Sequence, residues 1–261
     1  MFKDLTALTR DQHQDLRFTV AKGYAFASSL MVSPVMLGEA ALVARDIPVL
    51  FSRSDGMPIA LLGLKPGQNA YVDMQDKRKG KWLARYVPAH IRRYPFMLAE
   101  QQVGGETVAG KRTFTFMADL AAPHFADPKG ERLFDDQGQP TATLTQIQKV
   151  LMDLQRAHVR TQRCVQQLLE NELLIDRALK AQTELGKTLA LEGMKVVDSR
   201  RLHALSPEKL AALQQSGALG LIHAHLMSLN NLNEAPLRTS EGLAPLAVAM
   251  ESGTLSFSGL R

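Results

Sequence analysis

The side chains best suited to chemistry lie close together in the middle of the chain, between residues 81 and 96. Two arginines there can bind a carboxylate or a phosphate, because a guanidinium presents several N–H donors in one fixed plane. The aromatic rings around them can form the apolar wall of a small-ligand site. The candidate ligand-binding residues are Trp82, Tyr86, His90, Arg92, Arg93 and Tyr94. Their combination predicts a surface that binds a ligand.

The same segment also has a purely structural interpretation. Pro88 is typical of the start of a short helix, and Tyr94 and Phe96 would anchor the chain where that helix ends. One arginine would then satisfy backbone carbonyls instead of a ligand. Because adjacent side chains point in different directions on a helix or a strand, we expect at most one of Arg92 and Arg93 to face a binding site. Both interpretations stay open at this point.

The histidines offer a second kind of chemistry, the metal site of a metal-dependent enzyme. His223 and His225 are two positions apart, and on a helix such side chains diverge by about 200°, so they cannot hold one ion together. Either of them, or His90, would need a distant ligand such as His13 or Asp198. The His-Glu-X-X-His motif is absent from the sequence. We therefore predict no metal and no other cofactor, and keep the metal-dependent enzyme as the alternative function.

Cys164 is the only cysteine of the chain. An internal disulfide and any Cys-rich metal site are therefore excluded. On a helix, Cys164 would lie outside the main apolar stripe that we describe below, and His158, six positions away, would lie on a different face from Cys164. A catalytic cysteine and histidine pair within that helix is not expected.

Composition limits the class of protein. Of the 261 residues, 45% are hydrophobic and 22% are charged, which is typical of a globular protein. The net charge of +5 is only mildly basic, so a nucleic-acid partner is not expected. We find no secretory signal and no apolar run approaching the ~20 residues that cross a bilayer. These features predict a soluble, cytoplasmic protein.

The first part of the chain, residues 1–135, contains short apolar runs separated by turn residues. Such a pattern favours strands connected by tight turns. Strands are predicted at 47–51, 59–64, 70–72 and 111–117, with a turn at 54–56 and one helix at about 34–45.

The second part, residues 140–235, has a helical period. Apolar residues recur at spacings of three and four, which predicts a long amphipathic helix at 143–169. Its stripe consists of Leu144, Ile147, Leu151, Leu154, His158, Thr161, Val165 and Leu168. The stripe needs a partner, either a sheet of the same chain or a second copy in a homo-oligomer. Further helices are predicted at 174–185, from Ser206 onward and after Gly217, with a strand at 189–197.

These elements predict an α+β fold in which a β-rich N-terminal half packs against a helical C-terminal half. The polar, turn-rich residues 127–140 separate the two halves. We expect one domain over residues 1–235. Residues 236–261 carry few charges and several glycines and serines, which predicts a loosely ordered tail.

Several segments resemble the SapC family of bacterial proteins, and the resemblance runs from about residue 13 to residue 235. The matching segments are 48–51, 60–64, 69–72, Trp82, 86–96, 132–134, 138–141 and 216–229. The turn at 73–81 departs from the family because it is longer and more basic. We therefore infer no family role for residues 77–81 and predict a solvated loop there, with an acidic partner or an anionic lipid headgroup as the alternative.

The resemblance implies a role rather than a reaction. The name of the family comes from gene clusters linked to the secretion of surface-layer proteins or to the transport of antimicrobial peptides, and it implies no set of catalytic residues. It favours a non-enzymatic accessory or binding protein of a peptide or envelope-export system. The expected partner is a peptide or an envelope protein.

Overall fold

A computed structural model of the chain describes residues 1–75, 79–100, 113–182, 188–234 and 236–237. The strands are β1 (Leu5–Ala7), β2 (Arg17–Phe18), β3 (Val32–Pro34), β4 (Val49–Ser52), β5 (Pro58–Leu61), β6 (Val72–Asp73), β7 (Lys81–Trp82), β8 (Phe96–Glu100), β9 (Phe114–Asp119), β10 (Glu131–Arg132), β11 (Leu174–Gln182) and β12 (Thr188–Val197). The α-helices are α1 (Arg10–His13), α2 (Ala40–Val43), α3 (Ala89–Arg92), α4 (Ala142–Glu170), α5 (Ser199–His203), α6 (Pro207–Ser216) and α7 (Ala218–Ser228). Short 3-10 helices lie at Ala25–Ala27, Leu37–Glu39, Pro123–Phe125 and Leu229–Asn233.

The larger sheet has five antiparallel strands in the order β11-β12-β4-β5-β3. Its centre is the hairpin of β4 and β5, as the sequence predicts, and Gly56 in the connecting turn has a positive φ of 70° that favours glycine. Helix α7 packs against β4 and β12. The resulting main core includes the fully buried Leu50, Phe51 and Ile222.

The second sheet has three antiparallel strands in the order β1-β9-β8. Its side chains belong to a second core that contains Phe96, Leu133 and Phe134. Two further strand pairs, β2 with β10 and β6 with β7, are each only two residues long.

Helix α4 joins the two cores. The hydroxyl oxygen of Thr141 accepts a hydrogen bond from the backbone N–H of Leu144 and caps the start of the helix. Leu144 and Leu151 pack in the second core, whereas Cys164 and Leu168 pack in the main core. The predicted helix at 143–169 is confirmed within one residue at each end, and the predicted α+β fold is confirmed with it.

The apolar stripe of α4 packs largely within its own chain. Val150, Met152 and Leu169 are the large apolar residues of α4 that stay exposed. These are the positions on α4 that a second copy of the chain would cover. A homo-oligomer through α4 stays a prediction.

The predicted helix at 174–185 is wrong over the residues that the structure describes, and the one predicted at 34–45 is shorter than expected. Residues 174–182 form strand β11 because they pair along their length with β12, which in turn pairs with β4. Pairing with a neighbouring strand outweighs the helix preference of the Ala, Leu and Lys residues there. The predicted helix at 34–45 is reduced to Leu37–Glu39 and α2, because Pro34 ends strand β3, which pairs with β5.

The remaining predictions are confirmed in part. Of the strand predicted at 70–72 only Val72 lies in a strand, and of the one at 111–117 residues 114–117 lie in β9 while 111 and 112 are outside the described residues. Strand β12 covers the predicted strand at 189–197, and Ser206 caps α6 by accepting a hydrogen bond from the backbone N–H of Lys209. Gly217, at a φ of 86°, separates α6 from α7. Of the predicted tail, only Pro236 and Leu237 lie within the described residues, and Leu237 is fully buried in the main core. The single domain over residues 1–235 stays a prediction.

Throughout the described residues, none of the helices is both long and apolar enough to traverse a lipid bilayer. The basic turn at 77–81 lies only partly within them, because Lys77 and Arg78 are outside. The backbone carbonyls of Lys79 and Gly80 accept hydrogen bonds from Ala25 and Tyr24.

Candidate functional site

A buried carboxylate fixes the start of the segment 81–96. Glu39 is 5% exposed, and its Oε2 accepts hydrogen bonds from the hydroxyl of Tyr86 at 3.0 Å and from the backbone N–H of Ala89 at 2.8 Å. Its Oε1 accepts a third, from the N–H of Met36 at 3.0 Å. Three donors offset much of the cost of burying the charge. Burial, and then the charge of Glu39, raise the pKa of Tyr86.

Trp82 and Arg92 have structural partners. The indole N–H of Trp82 donates to the backbone oxygen of Tyr86 at 3.0 Å. The Nε of Arg92 donates to the backbone oxygen of Val87 at 2.9 Å, and its Nη2 donates to the Tyr86 hydroxyl at 2.7 Å. Arg92 therefore holds the entrance of α3, as the structural interpretation of the segment expected for one arginine.

Arg93 has no such partner. Its Nε is buried and makes no hydrogen bond, and none of the described acidic residues forms an ion pair with its guanidinium. The guanidinium carbon lies 5.9 Å from the centre of the Phe2 ring, within reach of a cation–π contact. Burial lowers the pKa of Arg93, but a guanidinium keeps its proton in proteins. Arg93 is thus a half-buried cation without an anionic partner among the described residues.

An open cavity of about 350 Å³, here called the aromatic cavity, lies beside Arg93. Small-ligand pockets have volumes of roughly 300–1,000 Å³ and are lined mainly by apolar and aromatic groups. The aromatic cavity fits this description, with exposed Val20 and Val150 among the residues around it. Its walls include Phe18, Tyr24, Phe26, Arg93, Tyr94 and His124.

Arg93 also lines a second cavity of about 460 Å³, here called the polar cavity. Arg93 and Leu151 line both cavities, so the two are neighbours. The polar residues of its wall are His90, Arg93, Glu100, Gln155, His158 and Gln162. Burial, with smaller contributions from the charges of Arg93 and His158, lowers the pKa of His90 to about 3. His90 is therefore neutral near pH 7.

A second buried carboxylate fixes the end of the segment. Asp119 is fully buried, and it accepts hydrogen bonds from the Tyr94 hydroxyl at 2.9 Å and from the backbone N–H groups of Lys3 at 3.0 Å and Asp4 at 2.9 Å. Burial acts to raise the pKa of Asp119, but these hydrogen bonds outweigh it and hold the pKa below its usual range. Tyr94 is thereby oriented with its ring in the wall of the aromatic cavity.

His124 is the least expected residue of the aromatic cavity. It is 4% exposed, and its Nδ1 is buried without a hydrogen-bond partner. The ring stacks on Phe18 at 5.9 Å and meets the rings of Tyr94 and Phe26 edge-on at 5.2 Å and 5.6 Å. Burial lowers the pKa of His124 to about 4, although the charge of Asp119 opposes the shift. His124 is therefore neutral near pH 7.

The histidines considered for a metal site are separated in the fold. His225 is fully buried, where its Nδ1 donates to the Val49 oxygen at 2.6 Å and its Nε2 accepts from the Val197 N–H at 3.1 Å. His223 is exposed on the same helix. Within the described part of the chain, histidine, cysteine and carboxylate side chains form no group of three or more that could hold a metal ion.

Cys164 is also a structural residue. The sequence places it outside the main apolar stripe of α4, but it is 2% exposed in the main core. Its thiol donates a hydrogen bond to the Ser216 oxygen at 3.2 Å, and burial raises its pKa. A thiol of this kind is a poor nucleophile.

The fold divides the six predicted site residues between the two interpretations. Arg92, Arg93 and Tyr94 line the aromatic cavity, and His90 and Arg93 line the polar cavity. Trp82 and Tyr86 line neither of these two cavities and pack against the main core.

Sequence reasoning missed the wall that α4 contributes. Gln155, His158 and Gln162 follow one another at spacings of three and four, so they lie on one face of the helix. A polar run beside the apolar stripe is a signal that could have indicated a cavity. His124 and Asp119 gave no comparable signal, because their partners are remote in sequence.

Comparison with known proteins gives one match. A model of the SapC family matches residues 8–234, which is most of the chain. No curated protein and no solved structure matches it. The matched range includes α4 and the whole segment 81–96, and on this basis the chain belongs to the SapC family.

Proposed function

We propose that this chain is a non-enzymatic binding protein whose ligand site is the aromatic cavity. The observation that carries the proposal is an aromatic-lined space of about 350 Å³ with two buried polar atoms in its lining residues, Arg93 Nε and His124 Nδ1, that have no hydrogen-bond partner. Buried polar groups are nearly always satisfied, by protein, water or ligand. A ligand-binding role explains why two such groups are retained beside one cavity.

The construction of the site supports binding rather than catalysis. Arg92 and Tyr94, which line the aromatic cavity, are held by hydrogen bonds to Tyr86 and Asp119. Cys164, whose pKa is raised, is hydrogen-bonded to a backbone oxygen in the core. A pre-ordered wall of this kind lowers the entropic cost of binding.

We further propose that the protein serves as an accessory of a peptide or envelope-export system, with a peptide or an envelope protein as partner. The support is membership of the SapC family together with a cavity suited to apolar groups. A cytoplasmic location belongs to the same proposal.

Filling the aromatic cavity tests the binding role. N-phenyl-1-naphthylamine, an uncharged apolar dye, is titrated into the protein and its fluorescence is followed. We expect saturable binding, and at least a tenfold weaker affinity in Val150→Trp, because the larger side chain lies among the residues around the cavity.

Met152→Trp is the matched control. Met152 lies on the same helix, is also exposed, and lines neither of the two cavities. The Met152→Trp variant should bind the dye with the same affinity as the unmodified protein. Equal affinity in both variants, or no saturable binding at all, contradicts the proposed site.

A further inference from the structure

We propose that the two cavities hold one ligand, a carboxylate attached to a linear apolar chain, with the carboxylate in the polar cavity against Arg93 and the chain in the aromatic cavity. This inference rests on the proposed binding function and names the chemical class of the ligand. The shared wall of Arg93 and Leu151 makes a single ligand spanning both cavities possible.

The polar cavity has the donors for an anion. Arg93 supplies a cation without an ion-pair partner among the described residues, and His90 and His158 face the same space. The charges that act on His90 come from Arg93 and His158, and both disfavour another positive charge. Among the residues that line the cavity, Glu100 alone is acidic, and it is exposed.

Several groups in the polar cavity match a carboxylate. A guanidinium binds the two oxygens of a carboxylate through parallel N–H donors, which adds geometric specificity to charge. Neutral His90 can donate one further N–H. With one permanent cation, Arg93, the site balances the single charge of a carboxylate better than the double charge of a phosphate monoester.

The aromatic cavity has the shape and chemistry for the rest of such a ligand. Most of its walls are aromatic rings and aliphatic side chains, with Ile147 and Val150 continuing them along α4. Its polar lining residues are Arg92, Arg93, His124 and Gln146. Its volume of about 350 Å³ is at the lower end for ligand pockets, which is enough for a single linear chain. Exposed Val20 at 74% and Val150 at 49% leave apolar surface for the chain to cover.

The test compares decanoate with decanol by isothermal titration calorimetry on the full chain. The two molecules share the apolar chain and differ in the carboxylate. We expect decanoate to bind at least tenfold tighter to the unmodified protein. Arg93→Gln should abolish this preference, so that decanoate binds no more tightly than decanol. Arg93→Lys should keep part of the preference, since it keeps the charge and loses the planar donors.

Arg156→Gln is the control variant. Arg156 is an exposed cation of α4 paired with Asp153, and it lines neither cavity. The Arg156→Gln variant should keep the preference for decanoate over decanol. The comparison of the two ligands on the unmodified protein remains decisive even if Arg93→Gln fails to fold.

The outcomes separate this inference from the proposed function. If decanol and decanoate bind equally, the carboxylate site is wrong and the apolar binding site stands. If neither decanol, decanoate nor the apolar dye binds, both are wrong. A preference for decanoate that survives in Arg93→Gln also overturns the inference.

A last comparison distinguishes the sources of the carboxylate. A short peptide ending in Leu-Leu is titrated into the protein in two forms. One has a free C-terminal carboxylate and the other has a C-terminal amide. A tenfold preference for the free form supports the inference with a peptide terminus as the source. Equal affinities, together with a preference for decanoate, support it with an acyl chain as the source.

Discussion

Two buried carboxylates, Glu39 and Asp119, hold the backbone on which Arg92 and Arg93 are placed. Each accepts hydrogen bonds from two separate segments of the chain rather than from one neighbour. Because the backbone around α3 is fixed in this way, the two adjacent arginines are directed to different places. Arg92 is hydrogen-bonded to Tyr86 and Val87, and Arg93 lines both cavities.

Replacing Asp119 tests the importance of this support. Asp119→Ala should lower the free energy of unfolding by about 3 kcal/mol, because it leaves the Tyr94 hydroxyl and two backbone N–H groups without their acceptor. Tyr94→Phe removes only one of those hydrogen bonds and should cost about 1 kcal/mol. Urea denaturation measures both. Equal losses in the two variants would show that the backbone donors contribute nothing.

Arg92 and Arg156 form a matched pair for the structural role of an exposed arginine. Arg92→Gln should lower the free energy of unfolding by about 1–2 kcal/mol, because charge-assisted hydrogen bonds to Tyr86 and Val87 are lost. Arg156→Gln breaks only a surface ion pair and should change it by less than about 0.5 kcal/mol. Thermal or urea unfolding compares them, and an equal change in both would refute a structural role for Arg92.

At the scale of elements, helix α4 connects the two cores. It contributes side chains to both cores and to both cavities. One position of its stripe is polar and fully buried. Thr161 accepts a hydrogen bond from the Leu37 N–H at 2.9 Å and donates one to the Ala157 oxygen at 2.8 Å. This residue attaches α4 to the 3-10 helix that carries Glu39.

Exchanging the hydroxyl of Thr161 for a methyl group tests that attachment. Thr161→Val keeps the shape but leaves the Leu37 N–H without an acceptor, which should cost about 2 kcal/mol of unfolding free energy. Thr161→Ser keeps the hydroxyl and loses one methyl group, and should cost about 1 kcal/mol. The two are compared by urea denaturation. A Val variant as stable as the Ser variant would mean that the hydrogen bond is not needed.

The elements differ in how well the sequence predicts them, for a physical reason. Helix α4 is predicted to within a residue because its apolar stripe repeats over eight turns. Strand β11 is missed because its residues suit a helix, and only the pairing with β12 makes them a strand. Local pattern determines the first, and a tertiary contact determines the second.

The site shows the same division. The two adjacent arginines have different partners, as their adjacency suggests, but both line the aromatic cavity, so the expectation that at most one of them faces a binding site is wrong. The roles of Glu39 and Asp119 could not be predicted, because their partners lie 47, 50, 115 and 116 positions away in the sequence. Cavities arise between such remote segments, so a sequence can name residues of the wall without showing the space.

At the scale of the whole molecule, neutral histidines lie in three different places, where His124 and His225 are buried and His90 is half-buried. His225 joins β4 to β12 in the main core, His124 lies among the rings of the aromatic cavity, and His90 lies at the polar cavity. Burial is the largest cause of the lowered pKa in each, to about 4 for His225 and His124 and about 3 for His90. The folded protein therefore favours the neutral form of all three histidines near pH 7.

Stability should accordingly fall as the solution is acidified from pH 7 to pH 5. The unfolded chain binds protons at its histidines near their ordinary pKa of about 6.5, whereas the folded chain does not until about pH 4. Unfolding thus takes up protons in this window, and each such histidine contributes a loss of up to about 1.4 kcal/mol per pH unit. The full contribution is present above pH 6.5. Urea denaturation at half-unit pH steps measures the slope.

Removing one of the three histidines should reduce the uptake of protons on unfolding by about one proton. The free energy of unfolding should then depend less steeply on pH. His124→Phe is the suitable variant, because the ring stacks among Phe18, Phe26 and Tyr94 and its Nδ1 has no hydrogen bond to lose. His223→Asn is the control, since that side chain is exposed. A slope unchanged in His124→Phe would mean that His124 is already protonated in the folded protein, and a charged imidazole in its wall would make the aromatic cavity a different kind of site.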